Sequence, residues 1–241
     1  MSLMIDIGNT KIKYAHFNRG VILEKGNCKT EDIPKILCHY SRIVNNMMLS
    51  SVRPIPPKKI SKYRKFFPKL IVLTSETGVP FKTNYKMINT IGSDRLALVA
   101  GAVFRFPNKP ILIIDAGTCI TFDFVDNQNM HFGGSISPGL NMRLKALNKQ
   151  TEGLPLIKLS KPKGLIGDST KESILSGVVN GVINEIDGTI DAYQKRYPKT
   201  KVILTGGDAK FFDKKFKNSI FVDEDILLKG MYFILTHHAN K

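Results

Sequence analysis

Cysteine is scarce in this chain. Only Cys28, Cys38 and Cys119 are present. Their number is odd and their spacing matches no zinc motif, so neither a disulfide framework nor a structural zinc site is expected. Free thiols are the expected state. Long apolar runs are missing too. None approaches the roughly 18 residues of a membrane span. The N-terminus enters a strand pattern directly, without a basic leader or cleavage site, which points to a cytoplasmic protein. Acidic residues are few, with 20 Asp and Glu against 36 Lys and Arg and a formal charge of +16. Such a positive potential favours anionic small substrates.

Part of that charge is concentrated. Arg53, Lys58, Lys59, Lys62, Arg64, Lys65 and Lys69 fall in one stretch with no acid among them. Tyr63, Phe66 and Phe67 are interleaved. Either the segment binds nucleic acid, or it is an amphipathic helix with a solvated basic face. The second reading is preferred. The 241 residues suffice for one large domain or two modest ones, and a hydrophobic content of 42% is ordinary for a globular protein.

Two stretches look like copies of one another. They are Met4-Ile5-Asp6-Ile7-Gly8-Asn9-Thr10 and Ile113-Ile114-Asp115-Ala116-Gly117-Thr118-Cys119. Each is an apolar run that reaches an aspartate, turns on a glycine and a hydroxyl residue, and continues into a second apolar stretch. Both are expected to be β-hairpins. A glycine in such a turn lets backbone N–H groups approach an anion. Thr and Asn add short donors, and an aspartate at the strand end suits a hard cation. The two aspartates are 109 positions apart. That suggests two similar domains, 1–109 and 110–241, each offering a phosphate-facing turn to a shared cleft. Cys119 beside the second turn is either an oxidisable thiol or a small packed residue.

Between the hairpins, the order strand, helix, strand, helix, strand implies a mixed sheet flanked by helices. Residues 75–92 show no period and are expected to be a long loop. It leads into Gly92-Ser93-Asp94-Arg95, at the start of a helix marked by Leu96, Val99, Ala100 and Val103. There Asp94 is either an N-cap or a general base. Arg95 is either a surface charge or a bidentate partner for a carboxylate or phosphate. Asp123, at the end of the second hairpin, either orients the site or caps an edge. Gly133-Gly134-Ser135-Ile136-Ser137-Pro138-Gly139 is expected to turn tightly and expose backbone. Ser169 and Glu172 fit a capping box before a long helix. Thr170 at its start either donates to an anion or caps. Gly177 and Gly181 on that helix permit close helix approach. Gly206 and Gly207 end a buried strand, a position that fits ligand approach. Asp225 to Thr236 is expected to form the last helix, which the domain division leaves free to pack back on the first domain.

Taken together, Asp6 to Thr10, Gly92 to Arg95, Asp115 to Thr118 and the Gly133 to Gly139 segment have the order and spacing of type III pantothenate kinases. The chain resembles that family over essentially its whole length. The resemblance implies a duplicated ribonuclease H-like fold of the actin-like ATPase and sugar-kinase superfamily. It implies ATP-dependent phosphorylation of pantothenate, the first step of coenzyme A biosynthesis. It implies a homodimer, Mg²⁺ with ATP, and a monovalent cation, K⁺ or NH₄⁺. Residues 6–13 match the phosphate segment, with Gly8, Asn9, Thr10 and Lys13 on phosphates and Asp6 on Mg²⁺. Asp94 matches the base, Asp115 the monovalent-cation ligand and Thr118 an ATP contact. Tyr85 and Thr170 match substrate positions, alongside Gly92, Ser93 and Arg95. Two other readings remain open: a non-catalytic transcription accessory factor, and a sugar or polyphosphate kinase of the same superfamily. Intact Asp6, Asp94 and Asp115 weigh against the first, and Gly92 to Arg95 against the second. Nucleic acid is not an expected partner.

Overall fold

The computed structural model describes residues 1–212 and 215–239. In chain order the elements are β1 (Ser2–Ile7), β2 (Ile12–Asn18), β3 (Val21–Cys28), α1 (Ile33–Tyr40), β4 (Asn46–Ser51), α2 (Pro57–Arg64), β5 (Ile71–Val72), β6 (Lys82–Thr83) and α3 (Ser93–Arg105). Then come β7 (Ile111–Ala116), β8 (Cys119–Val125), β9 (Met130–Pro138), α4 (Leu140–Lys149), α5 (Thr170–Arg196), β10 (Lys201–Thr205), β11 (Phe221–Val222) and α6 (Ile226–Ala239). They group into two compact units. The first holds Met1–Pro107, Asn129–His131 and the chain from Asp225 onward; the second holds Asn108–Gln128 and Phe132–Glu224.

The first unit is built on a five-stranded sheet in the order β3-β2-β1-β4-β5. β2 runs antiparallel to β1 and β3, whereas β4 is parallel to β1 and β5 to β4. β1 is central, so all six of its residues are buried. Its Leu3, Ile5 and Ile7 pack with Ile33 and Leu37 of α1 and Tyr63 of α2. Burying an aliphatic side chain of this kind contributes about 1.5–3 kcal/mol. The basic segment forms α2, with Tyr63 and Phe67 buried and its lysines in solvent. That is the arrangement of a helix with a solvated charged face.

The second unit repeats the pattern. Its strands lie in the order β11-β10-β7-β8-β9. β8 is antiparallel to β7, β10 parallel to β7, and β11 parallel to β10. Numbered from its own start, this is the strand order of the first unit. The fold is therefore a duplication, two mixed sheets of one topology with helices against them. The inward face of α5, from Ile174 through Val178, Val182 and Ile186 to Ile190, packs on Leu112, Ile114, Phe122 and Leu204 of the sheet. A repeat of apolar residues at helical spacing produces that face.

Two pieces from the second half of the chain belong to the first unit. One is α6, which crosses α3 at glycines. A Cβ on Gly101 would stand 2.2 Å from the Ile226 carbonyl oxygen, and one on Gly230 only 1.8 Å from that of Ala97. The helix backbones touch there, which no larger residue permits. Tyr232 of α6 stacks on Phe17 at 4.8 Å, and Lys25 reaches Asp225 at 2.7 Å. The other piece is residues 129–131. Lys82 pairs with Met130 and Thr83 with His131. The stretch 75–92 is thus not wholly a loop, because it holds β6 and a short 3-10 turn at Ile88–Thr90.

Candidate functional site

In the first unit the site begins at the end of β1. The turn after Ile7 closes through the Gly8 N–H, which donates to the Lys11 carbonyl at 3.1 Å. A Cβ on Gly8 would stand 2.9 Å from that oxygen. Asn9 and Thr10 are exposed at the tip. Asp6 lies one step inside, opposite Lys13 on β2 and Ser50 on β4. It is 5% exposed, and its Oδ1 is buried with no hydrogen-bond partner. Burial pushes its pKa from 3.8 up to about 6; the Ser50 hydroxyl lowers it, the charge of Asp94 raises it, and Lys13 lowers it. Asp6 and Asp94, far apart in sequence, are electrostatic neighbours.

The start of α3 holds Asp94 in place. The N-cap is Gly92, with no side-chain cap. Asp94 is the second residue of the helix rather than its cap. Its Oδ1 accepts the Arg95 N–H at 2.8 Å, and Gly92 leaves room, since a Cβ there would stand 2.4 Å from that oxygen. Ser93 is turned away into the fold. Its hydroxyl lies 3.1 Å from the Ser50 hydroxyl, accepts the Ser51 N–H at 3.2 Å and donates to the Ser51 carbonyl at 3.1 Å. Ser93 thereby clamps the helix start to the end of β4, the strand that also faces Asp6. Arg95 is buried, and its guanidinium carbon sits 5.4 Å from the centre of the Tyr85 ring. Asp6, Asp94, Arg95 and Tyr85 all belong to this unit.

In the second unit the turn after β7 is equivalent. Gly117 N–H donates to the Cys119 carbonyl at 2.9 Å, and Thr118 is exposed. Asp115 is half-buried, opposite Thr121 on one side and Thr205 on the other. Two more glycines press against this turn. Gly139 donates to the Thr118 carbonyl at 3.1 Å, and a Cβ on it would stand 2.1 Å from the Gly117 carbonyl oxygen. Gly206 has φ +99°, and a Cβ there would meet the Ala116 carbonyl oxygen at 2.2 Å and Asp115 Oδ1 at 2.4 Å. Gly207 is open, with nothing near its Cβ position. Glycine at these positions lets neighbouring backbone crowd the turn, and Gly207 leaves its own flank open to a ligand.

The segment 133–139 makes this approach as strand rather than as a tight turn, since β9 runs to Pro138 and only Gly133, at φ +83°, is left-handed. Asp123 is buried inside β8, opposite Ile113, so it caps no edge. The Ser169 hydroxyl accepts the Glu172 N–H at 3.3 Å, but the Glu172 carboxylate does not close a box. It accepts the Lys163 N–H at 3.1 Å and ties down the preceding loop. Thr170 is exposed and lines a cavity of about 740 Å³ with Arg143, Leu147, Leu154, Ile174 and Gly177, a lining that includes none of residues 115–119. Arg143 is paired with Glu185 beside it.

The donor set of the first unit suits a hard cation. A buried carboxylate oxygen without a donor is incomplete, and a second carboxylate lies near. Mg²⁺ commonly takes one or two carboxylates and fills its remaining positions with water and phosphate oxygens. No cluster of three or more metal-ligating side chains exists among the described residues, so a cage supplied by side chains alone is not what this site offers. Two contributors carry no mark in the sequence. The Ser50–Ser93 bond joins residues 43 apart, and His131 stacks behind Tyr85.

Comparison with known proteins gives the family and the fold. The family model for type III pantothenate kinase matches residues 2–192. A type III pantothenate kinase from Christiangramia forsetii is 42% identical over 238 residues, covering 98% of this chain and 98% of its own. Among solved structures, one described as a Baf family transcriptional activator from Campylobacter jejuni superposes with a TM-score of 0.64 at 22% identity, covering 99% of this chain and 100% of that one. A glucokinase from an Antarctic psychrotroph gives 0.51 at 12% identity, with 98% of each chain covered. At those identities the likeness is one of fold.

Proposed function

The chain belongs to the type III pantothenate kinase family, and we propose that it transfers the γ-phosphoryl group of ATP to the primary hydroxyl of pantothenate, opening coenzyme A biosynthesis. The observation that carries the assignment of roles is the start of α3. It presents Asp94 beside the incompletely satisfied Asp6, with Arg95 next in sequence on the same buried turn.

Phosphoryl transfer depends on positioning and on neutralising charge. Asn9 and Thr10 offer backbone and short side-chain donors to phosphate oxygens, Gly8 closes the turn that presents them, and Lys13 adds a positive charge. Asp94 accepts the proton of the hydroxyl as its oxygen attacks phosphorus and the bond to the β-phosphate oxygen breaks. Arg95 meets the carboxylate of pantothenate, the natural target of a guanidinium fork. Tyr85 and Gly92 line that end, while Ser93 holds the helix start. In the second unit, Thr118, Gly206 and Gly207 offer themselves to the nucleotide. Thr170 stands as a further substrate contact.

Asp6 would hold Mg²⁺, and the ion would neutralise charge on the phosphates. Asp115, a hard oxygen ligand, would hold K⁺ or NH₄⁺. A homodimer and a cytoplasmic setting accompany the reading. The three cysteines are free, and no described helix is long and apolar enough to cross a membrane. ATP consumption should depend on pantothenate and should be faster in K⁺ than in Na⁺ buffer. Turnover indifferent to pantothenate would end the proposal.

A further inference from the structure

His131 has no place in the chemistry above, yet it is wholly buried, at 0% exposure. It sits in the short piece of chain that enters the first unit from the second half. Its backbone carbonyl accepts the Asn84 N–H at 2.8 Å, which pins the segment before α3. Its Nδ1 lies 3.0 Å from the Thr83 hydroxyl, and that hydroxyl also accepts the Tyr85 N–H at 3.1 Å. The imidazole stacks on the Tyr85 ring at 6.2 Å and 12°, while Phe81 meets it edge-on at 6.0 Å. Tyr85 in turn carries the Arg95 guanidinium at 5.4 Å. Polar and ring contacts therefore run continuously from Phe81 and His131 through Tyr85 to Arg95.

A guanidinium on a flexible stem has much rotamer freedom to lose when it binds a carboxylate. An aromatic face under it removes part of that freedom before substrate arrives. Tyr85 is only half-buried on a segment of little regular structure, so something must fix its ring. His131 and Thr83 do so, one by stacking and both through the hydroxyl that ties down the Tyr85 backbone.

We infer that His131, with Thr83, is a positioning residue for substrate selection, aligning Tyr85 so that Arg95 is held ready for the carboxylate end of the acceptor. It acts through Tyr85 and Arg95 rather than on ATP or the reacting hydroxyl. The inference rests on the pantothenate reading above and names the groups behind its specificity.

The test compares pantothenate with pantothenol, which has an alcohol in place of the carboxylate and keeps the same reacting hydroxyl. The unaltered protein should prefer pantothenate in kcat/KM. His131→Ala should raise KM for pantothenate about tenfold, the scale of a charge-assisted hydrogen bond, and shrink the preference over pantothenol in step. KM for ATP should stay unchanged. Thr83→Val, on a partly exposed residue, should move the same ratio in the same direction and decides the matter if the histidine variant fails to fold. His131→Phe keeps a ring and should retain more of the preference than His131→Ala. If folded variants lower turnover of both acceptors equally, or raise KM for ATP alike, His131 is only a packing residue and the inference is overturned. If the unaltered protein phosphorylates neither acceptor, the activity itself falls, a result distinct from active variants with an unchanged ratio.

Discussion

Replacing Asp6 with asparagine should make the metal-free protein more stable while abolishing its activity. Asp6 is buried with one oxygen unpartnered, and its pKa stands at about 6 instead of 3.8. That difference corresponds to about 3 kcal/mol at 1.36 kcal/mol for each pH unit. The sign is unfavourable to the ionised form. Between about pH 4 and pH 6 the folded protein holds a proton that the unfolded chain has released, so stability falls as pH rises through that window. Above it the loss is complete and constant; below it there is none. A carboxamide at this position carries no charge to desolvate. In chelator the Asp6→Asn variant should therefore melt above the unaltered protein at pH 8, by roughly 5 °C or more for a chain of this size, and the gap should close near pH 4. Adding Mg²⁺ at pH 8 should raise the melting temperature of the unaltered protein but not of the variant. Thermal melts across pH, with and without Mg²⁺, read all of this. A variant that melts lower at pH 8, or a gap that ignores pH, would refute the account of Asp6.

Asp94→Asn should lower kcat by about 10²–10⁴, the usual contribution of a positioned base, without lowering the melting temperature, because the charge it removes opposes that of Asp6. Ser93→Ala removes the hydroxyl joining α3 to Ser50 and Ser51 and leaves buried partners unmet. It should destabilise by about 1–3 kcal/mol in a urea melt and lower kcat through a displaced Asp94. Gly206→Ala combines a left-handed backbone with a Cβ against the Ala116 carbonyl. It should destabilise by at least about 1–3 kcal/mol and weaken nucleotide binding measured by calorimetry.

The doubled hairpin is legible in the sequence because its signal is local. An apolar run, an aspartate and a glycine turn recur with the same grammar, and both copies fold as β1–β2 and β7–β8. The basic segment is legible as a helix for the same reason. What escapes a sequence reading depends on partners distant in the chain. Residues 82–83 become strand only because 130–131 lie beside them. The glycines at 133–139 look like turn residues in isolation. The chain extends them into β9, and Gly139 beyond it packs on the backbone of the second turn. Asp94 resembles an N-cap because aspartate at a helix start usually is one, whereas here Gly92 occupies that position. Glu172 has the spacing of a capping box but meets a backbone N–H nine residues earlier. His131 is a lone histidine in its own segment, and only the fold brings Thr83, Tyr85 and Phe81 around it.

The most direct measurement is identification of the product. Incubated with ATP, pantothenate, Mg²⁺ and K⁺, the protein should form 4′-phosphopantothenate and ADP in equal amounts, followed by ³¹P NMR, and the Asp94→Asn variant should form both at least about a hundredfold more slowly. Inorganic phosphate released in place of the phosphate ester, or an unimpaired Asp94→Asn variant, would contradict the account.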